Sequence, residues 1–150
     1  MTGSTLQNNL YWQLFRVAVK AKHNLMDIAE SHGLTVMQMY TLCLLESDIS
    51  IPMNSLSATL VCDASNVTGI VDRLLQHDYI KREENPKDRR EKMITLSAKG
   101  AAICEKISES LMSDQPHSLQ ILSKEERSQL LKLLAKVITP AKPDWVKTDK

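Results

Sequence analysis

Residues 56–96, LSATLVCDASNVTGIVDRLLQHDYIKREENPKDRREKMITL, decide how this chain folds. They begin as a short helix carrying Leu56 and Leu60, followed by a tight turn and a second helix from Ala64 to His77 that ends at Asp78. Tyr79-Ile80-Lys81-Arg82 and Met93-Ile94-Thr95-Leu96 have the β-branched and aromatic content of strands, and Asn85-Pro86-Lys87-Asp88-Arg89-Arg90-Glu91-Lys92 forms a loop between them. Helix, turn, helix, strand, basic loop, strand is the order of a winged helix-turn-helix, and it predicts a DNA reader.

On a helical projection Val67, Ile70, Val71 and Leu74 share one face of the second helix and are expected to pack inward. Ser65, Gly69, Asp72 and Gln76 lie opposite, flanked by Asn66, Thr68 and Arg73. Small hydrogen-bonding side chains near the start of a helix suit approach to base edges in a major groove about 12 Å wide. Gly69 points the same way, since a mid-helix glycine costs about 1 kcal/mol relative to alanine and so marks a place where DNA or another backbone comes close. Asp63 suits the N-cap. A polar face alone is what any amphipathic surface helix shows; the preceding helix-turn and the wing turn the reading toward DNA.

In the wing, Asn85 and Pro86 supply turn chemistry, and Lys87, Arg89 and Arg90 stand near the tip. Arginine suits a narrow minor groove, whose negative potential attracts a planar, weakly hydrated cation. Phosphate would repel Asp88, so its expected task is to hold an arginine or the turn backbone in position. Taken alone, such a loop is also compatible with a merely solvated charged hairpin.

Outward from this head, Leu10, Leu14, Val17, Ala21, Leu25 and Ile28 recur at steps of three or four, predicting a helix from about Asn8 to Ser31 that stops at Gly33. Thr35 and Gln38 match a capping box ahead of a largely apolar helix through Leu45, the expected buried centre. Asp48 to Pro52 breaks it, with Ile51 as a possible bridge residue and Pro52 in the first turn of the next helix. After the wing, Ser97 caps a helix bearing Ile103, Cys104, Ile107 and Leu111, interrupted at Gln115-Pro116-His117-Ser118. Ser123 and Glu126 form a second capping box before a last helix that Pro140 and Pro143 end. Apolar faces this wide on the terminal helices are expected to be buried between two copies of the chain.

Composition sets further bounds. The 150 residues are 43% hydrophobic and 25% charged, as in an ordinary globular protein, with a formal net charge of +1. So small a charge argues against indiscriminate nucleic-acid binding, and any DNA contact must come from a local basic surface. No basic leader precedes an apolar run and no stretch approaches the roughly 20 apolar residues of a membrane span, so a cytoplasmic location without membrane contact is expected. Cys43, Cys62 and Cys104 lack CxxC spacing. Cys43 and Cys104 fall on apolar faces and read as core, whereas Cys62, beside the recognition helix, reads as a turn residue or, alternatively, a thiol redox sensor. The four histidines are scattered, no metal or other cofactor is indicated, and no nucleophile elbow or phosphate loop suggests an enzyme. Met37, Met39, Met53, Tyr40, Trp12 and Phe15 fit a core as well as an adaptable ligand pocket, which leaves any effector site unassigned.

Asp72-Arg73-Leu74, Tyr79-Ile80-Lys81-Arg82, Asn85-Pro86-Lys87-Asp88-Arg89-Arg90, Thr95-Leu96-Ser97 and Gly100 together resemble the signature of the MarR family of winged-helix regulators. Gly33-Leu34-Thr35 and Leu122-Ser123-Lys124-Glu125-Glu126-Arg127 extend the likeness over about residues 8–139. The resemblance makes Arg90 the minor-groove candidate and Arg89 a phosphate contact. It also implies a homodimer built from the terminal helices, a palindromic operator in double-stranded DNA, and release by a small phenolic or otherwise lipophilic effector or by thiol oxidation. Two departures stand out. Asp78 replaces the glycine usual after the recognition helix, implying a stiffer or differently shaped hinge into the wing, and the first helix lacks the family's peroxide-sensing cysteine.

The resulting expectation is a mainly α protein with a small β wing, organised as one domain. Its winged helix-turn-helix occupies about residues 35–97, dimerisation helices about 8–32 and 98–139, and a loose tail 140–150. The DNA-binding candidates are Ser65, Asn66, Thr68, Gly69, Arg73, Lys87, Arg89 and Arg90, with Asp88 positioning the wing. A winged-helix adaptor that binds protein instead of DNA is the reading from another class.

Overall fold

The computed structural model describes residues 6–60, 64–113 and 117–138. Helix α1 spans Leu10–Ser31 and is capped by Asn9, whose side chain accepts from Trp12 N at 2.9 Å, so the helix starts slightly later than periodicity suggests. At its other end Gly33 takes φ 70°, and the amides of Gly33 and Leu34 donate back to Glu30 O and Ala29 O, both at 2.9 Å. This Schellman arrangement turns the chain sharply and drops Leu34 into the core.

Helix α2, Val36–Leu44, opens with the reciprocal Thr35–Gln38 capping box, at 3.0 and 3.2 Å. Thr41 is fully buried on it, and its hydroxyl is satisfied by donating to Met37 O at 2.7 Å. After a turn in which Asp48 takes φ 67°, Ile51–Pro52 forms a short strand, β1. Pro52 therefore belongs to the sheet and not to the helix that follows, a correction to the reading by helix propensity. A proline lacks the amide that an interior strand needs, and β1 is an edge strand where that loss is tolerated.

Helices α3, Ser55–Leu60, and α4, Ala64–Gln76, precede strands β2, Ile80–Glu84, and β3, Lys92–Leu96. The antiparallel sheet has the order β1-β3-β2, so the wing is three-stranded at its base. Its register places Ile51 opposite Ile94 on one side and Arg82 opposite Ile94 on the other. Ile51, Ile80 and Ile94 join Leu42, Leu56, Val67, Val71 and Leu74 in one buried cluster. Helix α5, Ala98–Ser113, closes that cluster with Ile107. The expected break at Gln115 to Ser118 is shorter than anticipated, because His117–Gln120 forms the brief helix α6; Gln115 and Pro116 lie outside the described residues. Helix α7, Lys124–Ile138, is capped by Ser123 and Glu126 and buries no residue of its own. Cys62, the Asp63 cap and the tail also lie outside the described residues. Among those described, no helix is long and apolar enough to cross a membrane.

The terminal helices leave large apolar side chains in solvent. On α1 these include Tyr11, Phe15, Val17 and Val19; on α7 Leu131, Val137 and Ile138 are each at least 68% exposed.

The turn after α4 is the tightest point of the fold. Asp78 adopts φ 59°, and the amides of Asp78 and Tyr79 donate to Leu75 O at 2.9 Å and Leu74 O at 3.0 Å, a second Schellman closure with aspartate where glycine is commonest. Ser97 N donates to Tyr79 O at 3.0 Å, Ser97 Oγ donates to Asp78 O at 2.6 Å, and the same oxygen accepts from Gly100 N at 2.9 Å. A Cβ on Gly100 would lie 2.0 Å from Tyr79 O, inside the backbone itself. Gly100→Ala is therefore expected to destabilise the protein by about 1–3 kcal/mol, the usual range for overpacking, as read from the urea midpoint; an unchanged midpoint would mean that α5 does not dock this closely.

Candidate nucleic-acid interface

Helix α4 sits where two demands meet. Val67, Val71 and Leu74 are at most 1% exposed and anchor it to α2, α3 and the sheet, while Ser65, Asn66, Thr68, Gly69, Asp72, Arg73 and Gln76 form the opposite, exposed surface. Arg73 Nη1 donates to Gln76 Oε1 at 3.0 Å, holding the guanidinium along the helix. Nothing lies within 4 Å of where a Cβ on Gly69 would stand, so no packing inside the chain requires glycine there.

The wing is built by short-range acceptors. Asn85 Oδ1 accepts from Lys87 N at 2.9 Å, and Asp88 Oδ1 accepts from Arg90 N at 3.0 Å. The loop is closed by Asn85 N on Glu91 O and Glu91 N on Asp88 O, each at 3.0 Å, and Asn85 Nδ2 also donates to the Glu91 carboxylate. Of the two partners open to Asp88, the structure shows the turn backbone. Its carboxylate forms no ion pair with an arginine among the described residues.

Charge pairing then sorts the basic residues. Arg82 faces Asp72 of α4 at 3.6 Å, and Lys92 faces Glu84 across the sheet at 2.9 Å. Each pair is about half exposed and contributes at most about 1 kcal/mol, so these contacts align more than they stabilise. Among the described residues the side chains of Lys87, Arg89 and Arg90 take no part in an ion pair, and all three are exposed. The wing tip thus keeps its positive charge although the chain as a whole carries only +1.

An open groove of about 460 Å³ separates the two halves of this surface, with Ser57, Val67 and Thr68 on the helical side and Asp88, Arg90 and Lys92 on the wing. Thr68 of the polar face of α4 and Arg90 of the wing thus flank one concavity of the same molecule. The Asp72–Arg82 pair, a link between helix and wing, is invisible to reasoning within single elements, since it forms only where α4 packs against β2. Met53 lines this groove, whereas Met37 lines a separate recess with Ser65, Asn66 and Gly69. The methionines therefore do not converge on one pocket. Cys43, expected in the core, is exposed, because it lies on the side of α2 turned from the cluster that buries Leu42; Cys104 is half-buried.

Residues 34–92 match the model of the MarR family. The transcriptional regulator MgrA of Staphylococcus aureus is 32% identical over 111 residues, covering 74% of each chain. The transcriptional repressor MdtR of Bacillus subtilis is 26% identical over 95% of this chain and 92% of its own. Among solved structures, apo MarR of Escherichia coli superposes with a TM-score of 0.76 at 28% identity, covering 87% of this chain and 97% of that one. A variant of the same protein in complex with operator DNA gives a TM-score of 0.67 at 28% identity, with 85% and 92% covered.

Because Gly69 has open space around it, Gly69→Ala is expected to raise stability by up to about 1 kcal/mol, measured by chemical denaturation; a loss of stability would show a steric role inside the chain.

Proposed function

The chain belongs to the MarR family of transcription regulators, and from that premise we propose that it is a cytoplasmic homodimeric repressor that binds a palindromic operator and is released by a small lipophilic or phenolic effector. The observation that carries the DNA-reading part is the shared groove. Thr68 of the exposed α4 face and Arg90, an unpaired cation of the wing, line it from opposite sides. On B-DNA that arrangement suits a helix in the major groove and a wing reaching the adjacent minor groove.

Within this reading Ser65, Asn66 and Thr68 contact base edges, and Gly69 lets the α4 backbone approach the duplex. Arg73, Lys87 and Arg89 meet phosphates, Arg90 enters the minor groove, and Asp88 fixes the amide that sets Arg90's direction. The dimer rests on the terminal helices. Phe15, Val17 and Val19 of α1 and Leu131, Val137 and Ile138 of α7 are each more than half exposed in the single chain, an apolar surface larger than monomers usually present. Two reading heads held by such an interface would meet half-sites about 34–36 Å apart, one turn of DNA. The operator complex of the related Escherichia coli protein supports operator DNA as the ligand.

Fluorescence titration across a salt series tests the wing assignment. Arg90→Ala is expected to weaken binding to every duplex and to lower the slope of log affinity against log salt by about 0.9 for each phosphate neutralisation lost; an unchanged affinity and slope would remove the wing from the interface. Exchanges at Ser65 or Asn66 are expected to change which sequence is preferred with little effect on that slope, and Gly69→Ala to weaken binding despite a more stable helix.

A further inference from the structure

Glu91 places a carboxylate in the groove between helix and wing, next to Arg90 and Lys92. A negative side chain facing a duplex repels phosphate, so charge alone disfavours it there. Among the described residues it forms no ion pair that would offset the repulsion. Its hydrogen bonds give it a different task. One carboxylate oxygen accepts from Asn85 Nδ2 at the neck of the wing, and the other accepts from Asn54 Nδ2, at 3.5 Å, in the turn ahead of α3. An ionised carboxylate is an acceptor on both oxygens, so one side chain can hold two amide donors from different parts of the fold.

The backbone around Glu91 is held at the same point. Its amide donates to Asp88 O and its carbonyl accepts from Asn85 N, each at 3.0 Å, which closes the loop that carries Lys87, Arg89 and Arg90. Asn85 uses its side-chain oxygen on Lys87 N at 2.9 Å, so its amide group cannot turn over without losing both of its side-chain contacts. On the helical side, Met53 N donates to Lys92 O at 2.8 Å and fixes the turn that bears Asn54. Arg90, whose amide rests on Asp88 Oδ1 at 3.0 Å, therefore leaves the chain immediately before the residue that ties the wing loop to the body.

We propose that Glu91 is a positioning residue for DNA binding, whose carboxylate bridges Asn85 of the wing neck to Asn54 ahead of α3 and so fixes the angle at which Arg90 meets the duplex. The inference rests on the DNA-reading assignment and deepens it. Two roles for this carboxylate differ in sign. If it contributes only charge, its removal strengthens binding; if it positions the wing, its removal weakens binding although the protein becomes more positive. Glu91→Gln separates them further, because the glutamine oxygen can accept from Asn85 Nδ2 and its nitrogen can donate to the exposed Asn54 once that side chain turns over.

The test measures binding of the full-length protein to the duplex that binds best in genomic-fragment selection, across a salt series. Glu91→Ala is expected to lower affinity about three- to thirtyfold, the range for residues that act on a ligand through others, and to lower the salt slope as loss of Arg90 does. Equal or higher affinity would overturn the proposal. Glu91→Gln is expected to bind at least as tightly as the wild type, and a loss as large as that of Glu91→Ala would show that the bridge is not what matters. Asn54→Ala cuts the bridge from the helical side and leaves the wing loop whole; it is expected to lower affinity and slope in the same direction, and wild-type binding would count against the proposal with equal force. Arg90→Ala is expected to cost less in Glu91→Ala than in the wild type, whereas additive losses would separate Glu91 from Arg90. Without DNA, nuclear magnetic resonance of Glu91→Ala is expected to show shifts at the side-chain amides of both Asn54 and Asn85; a shift at Asn85 alone would remove the bridge whatever the protein binds. Both amides shifted in a protein whose wild type binds no fragment would instead sink the DNA-reading assignment.

Discussion

Ser97 closes the turn that ends the recognition helix. Its amide binds Tyr79 O, its hydroxyl donates to Asp78 O, and the same hydroxyl caps α5 by accepting from Gly100 N. Through these three bonds the C-terminus of α4, the exit of the wing and the start of α5 become one joint. Gly100 makes the joint possible, since any side chain there would occupy the position of Tyr79 O. Lys99 adds to it from outside, 3.9 Å from the Asp78 carboxylate and over the Tyr79 ring. The contribution of these exposed contacts is small, but they act on the same turn. Whatever displaces α5 is transmitted to α4 through hydrogen bonds and steric contact that leave little room for independent motion.

That joint gives meaning to the apolar surface of the terminal helices. A net charge of +1 cannot supply affinity for DNA by attraction alone, so in the proposed binding mode the wing cations are delivered to phosphates by geometry. In the proposed dimer the geometry of two heads would be set by the elements to which the heads are fixed, and α5 is fixed to its head at the Ser97–Gly100 joint. The ion pairs work in the same sense. Asp72 with Arg82 ties helix to wing, and Glu84 with Lys92 ties one wing strand to the other, while Lys87, Arg89 and Arg90 at the tip enter no ion pair among the described residues. The wing directs its charge with backbone acceptors: Asp88 and Asn85 are used on amides, so the tip stays cationic despite its acidic neighbours.

Much of this was legible in the residues, for reasons that differ by element. The capping boxes at Thr35–Gln38 and Ser123–Glu126 and the buried face of α4 depend on spacings of three or four residues, which periodicity reads directly. Asp78 stood out only through the family resemblance, as the residue in place of a usual glycine, and it adopts φ 59° in spite of its side chain. What escaped depends on distant parts of the chain. Pro52 looks like a helix start until β3 is present to pair with it. Cys43 looks like core until the packing of α2 shows which side is covered. Arg82 gains its partner only once α4 is packed against β2.

Selection of genomic fragments by the purified protein at physiological salt tests the central claim most directly, since that claim is that two identical heads are held at a fixed separation by their terminal helices. The account predicts enrichment of a palindrome whose half-site centres lie about 10 base pairs apart. Enrichment of a single asymmetric site, or of no sequence at all, would contradict it.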